Sequence, residues 1–149
     1  MLETSQTINY REKVVHGTAL IWHEKGLLLK GSSGSGKSDL ALRLIDKGAR
    51  LIADDQVLLT LKEKSIVMSC PSEIKGKIEA FGLGILNCKM VAHEAPLFLV
   101  CALKSRVKRL FKLRTETIET LAIPKIYIDP FWPSVSEKLS LFLQDFEIK

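Results

Sequence analysis

The feature that most constrains this chain is a glycine-rich octapeptide at residues 31–38, which reads GSSGSGKS. It matches the pattern GxxxxGK[ST] at every fixed position. The probability that a chain of 149 residues contains such a match by chance is on the order of a few in a thousand. The apolar run Leu27–Leu29 precedes the octapeptide, and Leu40, Leu44 and Ile45 follow it at helical spacing. The pattern therefore predicts a strand, a tight loop and a helix in succession.

The residue types of this loop suit phosphate binding. Glycines let several backbone N–H groups converge on one point, and the helix N-terminus adds a partial positive charge there. Lys37, which we expect to be exposed, would contact the β- and γ-phosphates, and the Ser38 hydroxyl would contact Mg²⁺. A plain Gly/Ser turn is the alternative, but it would not need Lys-Ser at its end. The predicted nucleotide-binding residues are Gly31, Ser32, Ser33, Gly34, Ser35, Gly36, Lys37 and Ser38.

Strands and helices interleave along the rest of the chain. Strands are predicted over Val14–His23, Leu27–Leu29, Leu51–Ala53, Val57–Leu61, Ser65–Met68, Leu97–Leu103 and Lys125–Ile128. One helix is predicted over Lys37–Lys47 with Gly48 as a left-handed stop, and another begins at the capping box Ser134-x-x-Glu137. The fold class is α/β, a mixed sheet with flanking helices around a phosphate-binding loop. We expect a polar tail over residues 1–13 and a single domain over 14–149.

Composition narrows the choice of partners. With 22 basic and 17 acidic residues the net charge is +5, which fits an anionic ligand and does not favour nucleic acid. The longest uncharged apolar run, Ala95–Leu103, is far shorter than the ~20 residues of a membrane span, and the first 13 residues lack the apolar region of a signal peptide. Three cysteines without a CxxC pair favour reduced thiols. We expect a cytoplasmic protein without membrane insertion.

An acidic pair follows the predicted strand Leu51–Ala53. A carboxylate at a strand end beside a phosphate loop is where a Mg²⁺-holding Asp belongs, and two carboxylates could divide the roles of metal ligand and proton acceptor. The alternative for Asp54 and Asp55 is a solvated turn, because Asp is common in turns.

Three further features have both a structural and a functional interpretation. The segment Glu79–Gly84 is either a glycine loop or a site, and His16 is either a hydrogen-bonded core histidine or a catalytic one. An acid-free basic segment is either a solvated face or a surface for phosphate or an acidic partner. Its cations are Lys104, Arg106, Lys108, Arg109, Lys112 and Arg114.

Taken together, the motifs resemble the catalytic domain of bacterial HPr kinase/phosphorylase, in the short form that lacks the N-terminal domain. The resemblance runs from about Val14 to about Pro130. It rests on His16-Gly17, the octapeptide, Lys47–Asp55, Ile78–Ile85 and Ile123–Ile126.

This resemblance implies a phosphate-loop fold akin to phosphoenolpyruvate carboxykinase and a homo-oligomeric assembly. The implied activity is ATP- and Mg²⁺-dependent phosphorylation of a serine on the phosphocarrier protein HPr, in the regulation of carbohydrate metabolism, with a reverse phosphorylase reaction. Lys37 would polarise the transferred phosphate, and Ser38 and Glu79 would hold Mg²⁺. Asp55 would accept the serine proton. His16 and Arg109 would complete the site.

Two departures from the family pattern bear on the reverse reaction. Phe81 stands where the family carries an Arg, and Asp129–Pro133 stands where it carries a Gly-Arg-Asn loop. We therefore predict a kinase whose phosphorylase activity is weak or absent.

Two other functions remain open. One is a nucleotide-binding sensor that signals its bound state to a partner such as a sensor kinase. The other is a small-molecule kinase, for which the sequence offers no identifiable lid or substrate pocket.

Overall fold

The computed structural model describes residues 10–146, which contain eleven strands, two α-helices and one 3₁₀ turn. The strands are β1 (Tyr10–His16), β2 (Thr18–Trp22), β3 (Lys25–Lys30), β4 (Arg50–Ala53), β5 (Gln56–Lys62), β6 (Ser65–Ser69), β7 (Lys77–Ala80), β8 (Gly84–Asn87), β9 (Glu94–Leu103), β10 (Arg114–Ile118) and β11 (Leu121–Ile128). The helices are α1 (Lys37–Asp46) and α2 (Val135–Asp145), and the 3₁₀ turn is Ser72–Ile74. No helix in the described part of the chain is long and apolar enough to span a bilayer.

Nine of these strands form one mixed sheet in the order β1-β5-β6-β9-β3-β2-β4, and β11 joins β9 and carries β10 at its free side. The long strand β9 organises it. Its first residues pair antiparallel with β6, and its later residues run parallel to both β3 and β11. The remaining strands, β7 and β8, form a separate hairpin. The predicted α/β fold with a mixed sheet is confirmed.

The predicted single strand Val14–His23 is wrong, because the chain bends at Gly17. The Gly17 N–H donates to the Asp55 carbonyl oxygen at 3.1 Å. A Cβ at this position would lie 2.9 Å from the Leu29 carbonyl oxygen, so only glycine fits. The bend separates β1, which pairs with β5, from β2, which pairs with β3 and β4.

The boundaries near the N-terminus also differ from expectation. Strand β1 begins at Tyr10, so residues 10–13, predicted as tail, belong to the sheet, whereas residues 1–9 lie outside the described range. The turn between β2 and β3 is His23-Glu24, both residues having positive φ (50° and 63°), as a two-residue hairpin requires.

Hydrophobic clusters cover both faces of the central strands. In β3, Leu27 and Leu29 point into a cluster with both helices, and Leu28 points into the opposite cluster. This alternation follows the two-residue period of a strand. Because α1 and α2 pack on the same face, the loop from β3 to α1 is held between a buried strand and a buried helix.

The helix predictions hold, except for one capping arrangement. Helix α1 ends at Asp46, one residue before its predicted end, and Gly48 has the expected left-handed φ of 105°. Ser134 is the N-cap of α2, but its side chain forms no capping hydrogen bond, so the predicted capping box is wrong. The Glu137 carboxylate instead lies 3.1 Å from the Lys47 ammonium, which links α2 to the end of α1.

Candidate active site

The phosphate loop leaves the end of β3 along a path that only glycine permits at several points. A Cβ on Gly31 would lie 2.5 Å from Ser35 Oγ. Gly34 and Gly36 have φ values of 79° and 102°, in the left-handed region. The Ser35 N–H donates to the Ser32 carbonyl at 3.0 Å and closes the loop. The strand–loop–helix prediction is confirmed, and a tight cradle forms at the start of α1.

The first turn of α1 is suited to bind an anion. Gly36 is its N-cap, and no side chain caps the helix. The first N–H groups of a helix have no partner within it, and the helix dipole adds positive potential at that end. Ser35 Oγ is buried and has no hydrogen-bond partner in the described residues. An uncapped helix end beside an unpartnered buried hydroxyl fits a phosphate group.

Lys37 lies at the centre of the cradle and is only 7% exposed, so the expectation of an exposed lysine is wrong. Its ammonium donates to the carbonyl oxygens of Gly31 at 2.8 Å and Ser32 at 2.9 Å. Burial lowers the pKa of Lys37, and the nearby carboxylates of Asp54 and Asp55 oppose that shift. An ammonium has three N–H donors, so one is left for a phosphate oxygen.

Asp54 connects three elements of the site. It follows β4, is 6% exposed, and its Oδ1 accepts hydrogen bonds from Thr18 Oγ1 and Ser38 Oγ, each at 2.8 Å. Its Oδ2 accepts the Glu79 backbone N–H at 3.1 Å. One buried carboxylate thus joins β2, the start of α1 and the β7–β8 hairpin. We call Asp54 with these three donors the Asp54 network.

Thr18 is the residue that sequence reasoning missed. It is fully buried in β2, and its hydroxyl is satisfied by Asp54. The available signal was a hydroxyl residue between Gly17 and the apolar run that follows it. A buried hydroxyl requires a hydrogen-bond partner, and here that partner is the Asp54 carboxylate.

Asp55 occupies a strained turn that separates the two carboxylates. The Gln56 N–H donates to the Asp54 carbonyl at 2.9 Å, and Asp55, between them, has a φ of 74°. This combination is typical of a γ-turn with positive φ, which is rare and costs energy. The Asp55 side chain is 67% exposed, whereas Asp54 is buried. The alternative of a solvated turn is therefore wrong for Asp54.

His16 is paired with Asp55. It is the last residue of β1, and its Nδ1 lies 3.2 Å from Asp55 Oδ1. The histidine side chain is 51% exposed, so the alternative of a core histidine is wrong. The pair is thus exposed to solvent next to the buried Asp54 in the chain.

Glu79 lies on a strand, not in the predicted loop. It is exposed on β7, and its backbone bond to Asp54 places it beside Ser38 in the network. No three acidic, histidine or cysteine side chains within residues 10–146 converge as a metal site. Mg²⁺ is commonly held by one or two carboxylates together with substrate phosphates. The Ser38 hydroxyl and the Glu79 backbone N–H donate to the two oxygens of one carboxylate, which fits a site where Ser38 and Glu79 would hold Mg²⁺ together with nucleotide phosphates.

Arg109 is not brought together with the other predicted site residues. It is exposed in the loop between β9 and β10 and lines a separate cavity against α2. In the described part of the chain, no hydrogen bond or ion pair links it to the phosphate loop. Its catalytic role stays a prediction.

The segment 129–133 packs directly against the phosphate loop. A Cβ on Gly36 would lie 3.3 Å from Pro130 and 3.6 Å from the ring of Phe131. Arg43 of α1 donates to the Pro130 carbonyl, and Asp129 accepts the Phe131 N–H at 2.9 Å. A proline and a phenylalanine therefore lie against the loop, and they belong to the segment that stands where the resemblance implies a Gly-Arg-Asn loop.

Comparison with known proteins agrees with this geometry. Residues 9–126 match the family described as HPr Serine kinase C-terminal domain. An HPr kinase/phosphorylase from Azoarcus sp. is 39% identical over 103 residues, covering 64% of this chain and 33% of the relative. One from Leptospira biflexa is 45% identical over 75 residues, covering 50% of this chain and 23% of the relative. The chain spans a third or less of these relatives.

A solved structure shares both fold and sequence with the chain. The HPr(Ser) kinase/phosphatase from Coxiella burnetii superposes with a TM-score of 0.80 at 26% identity, covering 89% of this chain and 95% of that one. The family match extends over most of the chain and includes the phosphate loop, the acidic pair and Glu79. The chain therefore belongs to the HPr serine kinase C-terminal domain family.

Proposed function

We propose that this protein transfers the γ-phosphate of ATP to a serine hydroxyl of an HPr-type phosphocarrier protein in the cytoplasm. The observation that carries the proposal is the arrangement of the two aspartates. Asp54 is buried and ties Ser38 and the Glu79 backbone to β2. Asp55 projects from the same turn toward solvent beside His16. A structural carboxylate and an accessible base thus stand next to a phosphate cradle.

Each residue has a distinct role in the forward reaction. The Lys37 ammonium and the N-terminus of α1 bind the phosphates. Ser38 and Glu79 would hold Mg²⁺, and the ion would supply positive charge to the phosphate oxygens. The serine oxygen bonds to the γ-phosphorus of ATP while the bond from that phosphorus to the ADP oxygen breaks, and ADP leaves. Asp55 accepts the proton that the serine hydroxyl gives up. His16, at 3.2 Å, orients the Asp55 carboxylate.

The surface around Glu79 supports a protein substrate over a small molecule. Just beyond it, the β7–β8 hairpin exposes Phe81 completely and Leu83 and Ile85 by 76% and 70%. Exposed apolar side chains in a cluster are typical of protein-binding surfaces. A small metabolite would not need this apolar tip.

The reverse reaction is weak or absent in this proposal. Phosphorolysis needs fixed positive charge for inorganic phosphate beside the loop. The resemblance implies two arginines here, and Phe81 and the Trp132-Pro133 part of segment 129–133 stand where they would be. Lys37 is already engaged with the loop carbonyls and the nucleotide.

A second candidate function is a nucleotide-binding sensor that signals to a partner such as a sensor kinase. The location of Arg109 favours it, because this arginine lines a separate cavity and no hydrogen bond or ion pair in the described residues links it to the phosphate loop. A sensor needs the cradle and Lys37 but needs no base at Asp55.

The direct test is to incubate the chain with Mg²⁺-ATP and purified HPr and to identify phosphoserine by mass spectrometry. The proposal expects phosphoserine on HPr, none when the acceptor serine is replaced by alanine, and none with Lys37→Ala. ATP binding without any phosphoserine would refute the kinase proposal and favour the sensor.

A further inference from the structure

A second concave surface is lined by none of the residues of the phosphate loop. It is a cavity of about 750 Å³ between the loop at residues 104–113, the end of β11 and helix α2. Its floor is apolar and includes Ile126, Val135 and Leu139, and aromatic rings of Tyr127, Trp132 and others form its walls. We call this surface the basic groove.

All charged residues that line the basic groove are positive. Six cations line it, and none of its lining residues in the described chain is acidic. None of the six forms an ion pair with another residue in the range 10–146. They are Lys104, Lys108, Arg109, Lys112, Arg114 and Lys138. A groove of this kind attracts carboxylates and repels basic ligands.

Several of these cations are positioned over the aromatic walls. The Lys104 ammonium lies 4.6 Å from the centre of the Tyr127 ring, and Arg114 lies 5.6 Å from the same centre. Lys138 lies 4.3 Å from the centre of Trp132. Cation–π contacts of this kind hold the charges at the rim without neutralising them.

The rim extends beyond the cavity as an exposed apolar segment. Leu110, Phe111 and Leu113 are 85%, 63% and 42% exposed, and they alternate with basic residues. Phe111 is fixed by an edge-to-face contact with Phe142 of α2, with ring centres 5.7 Å apart. Arg, Tyr and Trp are the residues enriched at protein-binding hot spots. A small organic anion would leave the exposed apolar segment uncovered, so a longer ligand fits better.

We propose that the basic groove docks an acidic amphipathic segment of a protein partner. The apolar side of the segment would pack on Val135, Leu139 and Trp132, and its carboxylates would pair with the rim cations. The groove does not include the phosphate loop or the Asp54 network, but it includes Arg109, so the variants that test this proposal are at groove cations other than Arg109.

The probe for this proposal is a fluorescein-labelled helical peptide of about four turns, with Leu and Phe along one side and Glu on the other. Two control peptides replace Glu by Lys or scramble the same composition so that no apolar side forms. Anisotropy is expected to rise with the acidic amphipathic peptide alone, and added salt is expected to weaken that binding. Trp132 fluorescence should change on binding, since Trp132 lines the groove and the second tryptophan, Trp22, is buried in β2.

Charge reversals locate the binding site. Lys138→Glu and Lys112→Glu are each expected to weaken the peptide about tenfold. Lys64→Glu is the matched control, because Lys64 is exposed in the β5–β6 turn and does not line the groove, and it should change the affinity less than about twofold. Lys138→Glu should leave ATP affinity unchanged, which separates this test from that of the kinase proposal.

Four results would overturn the proposal. They are equal binding of the scrambled peptide, equal weakening by Lys64→Glu and Lys138→Glu, and no binding of the acidic peptide at all. The fourth is self-association of the chain that Trp132→Ala abolishes, because a second copy would then occupy the groove.

Discussion

Asp54→Asn is the substitution that most directly probes the structure of the site. It keeps the shape of the side chain and removes its charge. The Asn amide oxygen can still accept from Thr18 and Ser38, but its NH₂ group then faces the Glu79 N–H, which donates to Asp54 Oδ2 at 3.1 Å in the native protein. Two donors would oppose each other in a buried position.

The expected cost follows from the three hydrogen bonds. One charge-assisted bond is lost outright, and such bonds contribute about 1.5–3 kcal/mol. The two hydroxyl bonds become neutral and lose roughly half their strength, while relief from burying a charge offsets part of the loss. We expect a net destabilisation of about 3 kcal/mol, which lowers the Tm by roughly 6–12 °C in a chain of this length.

Urea unfolding monitored by circular dichroism measures this loss. The matched control is Asp46→Asn, since Asp46 is exposed at the end of α1 and forms no ion pair in the described residues; it should change stability by less than about 0.5 kcal/mol. Thr18→Val in both backgrounds completes a double-mutant cycle. Thr18→Val should reduce the free energy of unfolding less in the Asp54→Asn background than in the native protein, with a coupling energy of about 1 kcal/mol. Equal costs for the two Asp substitutions, or strictly additive costs in the cycle, would refute the buried network.

The remaining predictions concern ligands, the reverse reaction and the thiols. Lys37→Ala should weaken ATP by about ten- to a hundredfold in calorimetry while thermal unfolding stays cooperative, and unchanged affinity would remove Lys37 from the phosphate site. Glu79→Gln should raise the Mg²⁺ concentration needed for half-maximal activity by about tenfold, whereas an unchanged Mg²⁺ dependence would exclude Glu79 as a ligand. Phe81→Arg should increase pyrophosphate release from seryl-phosphorylated HPr in millimolar phosphate; no increase would mean that the missing cation is not the cause of weak phosphorolysis. Burial raises the pKa of Cys101 to about 12, so a thiol reagent should modify at most two of the three cysteines in the native protein and all three in urea; three native reactive thiols would contradict its burial.

The parts of the fold that could be predicted are those with strong local signals. The octapeptide and the helical spacing after it predicted α1, and Gly48 predicted its end. The apolar runs predicted β3, β4 and the core of β9, because a buried strand needs little beyond apolar side chains. Strand β10 was missed because its sequence, RTETI, is mostly polar and pairs with β11 at an edge of the sheet.

The parts that could not be predicted depend on tertiary contacts. The break at Gly17 depends on the Leu29 carbonyl, which only the folded sheet brings within 2.9 Å. Asp54 is buried and Asp55 is exposed because of the turn between them. The hydrogen bond from the Gln56 N–H to the Asp54 carbonyl that closes this turn is local, but Thr18 and Glu79, which hold the Asp54 side chain inward, are distant in sequence. Sequence reasoning identified the acidic pair but not which member faces inward.

The location of Arg109 in the fold could not be predicted from the sequence. The resemblance implies a place for Arg109 in the active site; in the structure it lines the cavity between the loop 104–113 and α2, and its catalytic role stays a prediction. The segment's conformation is set by contacts such as Phe111 on Phe142, which no local pattern encodes.

The measurement that tests the central proposal most directly is single-turnover phosphate transfer by Asp55→Asn. Labelled ATP at a concentration saturating each protein is mixed with HPr, and phosphoserine formation is followed over time. We expect the rate to fall by about 10²–10⁴ with ATP affinity changed less than about threefold, because the base is lost and the cradle is kept. Transfer near the native rate would contradict the assignment of Asp55 as the base.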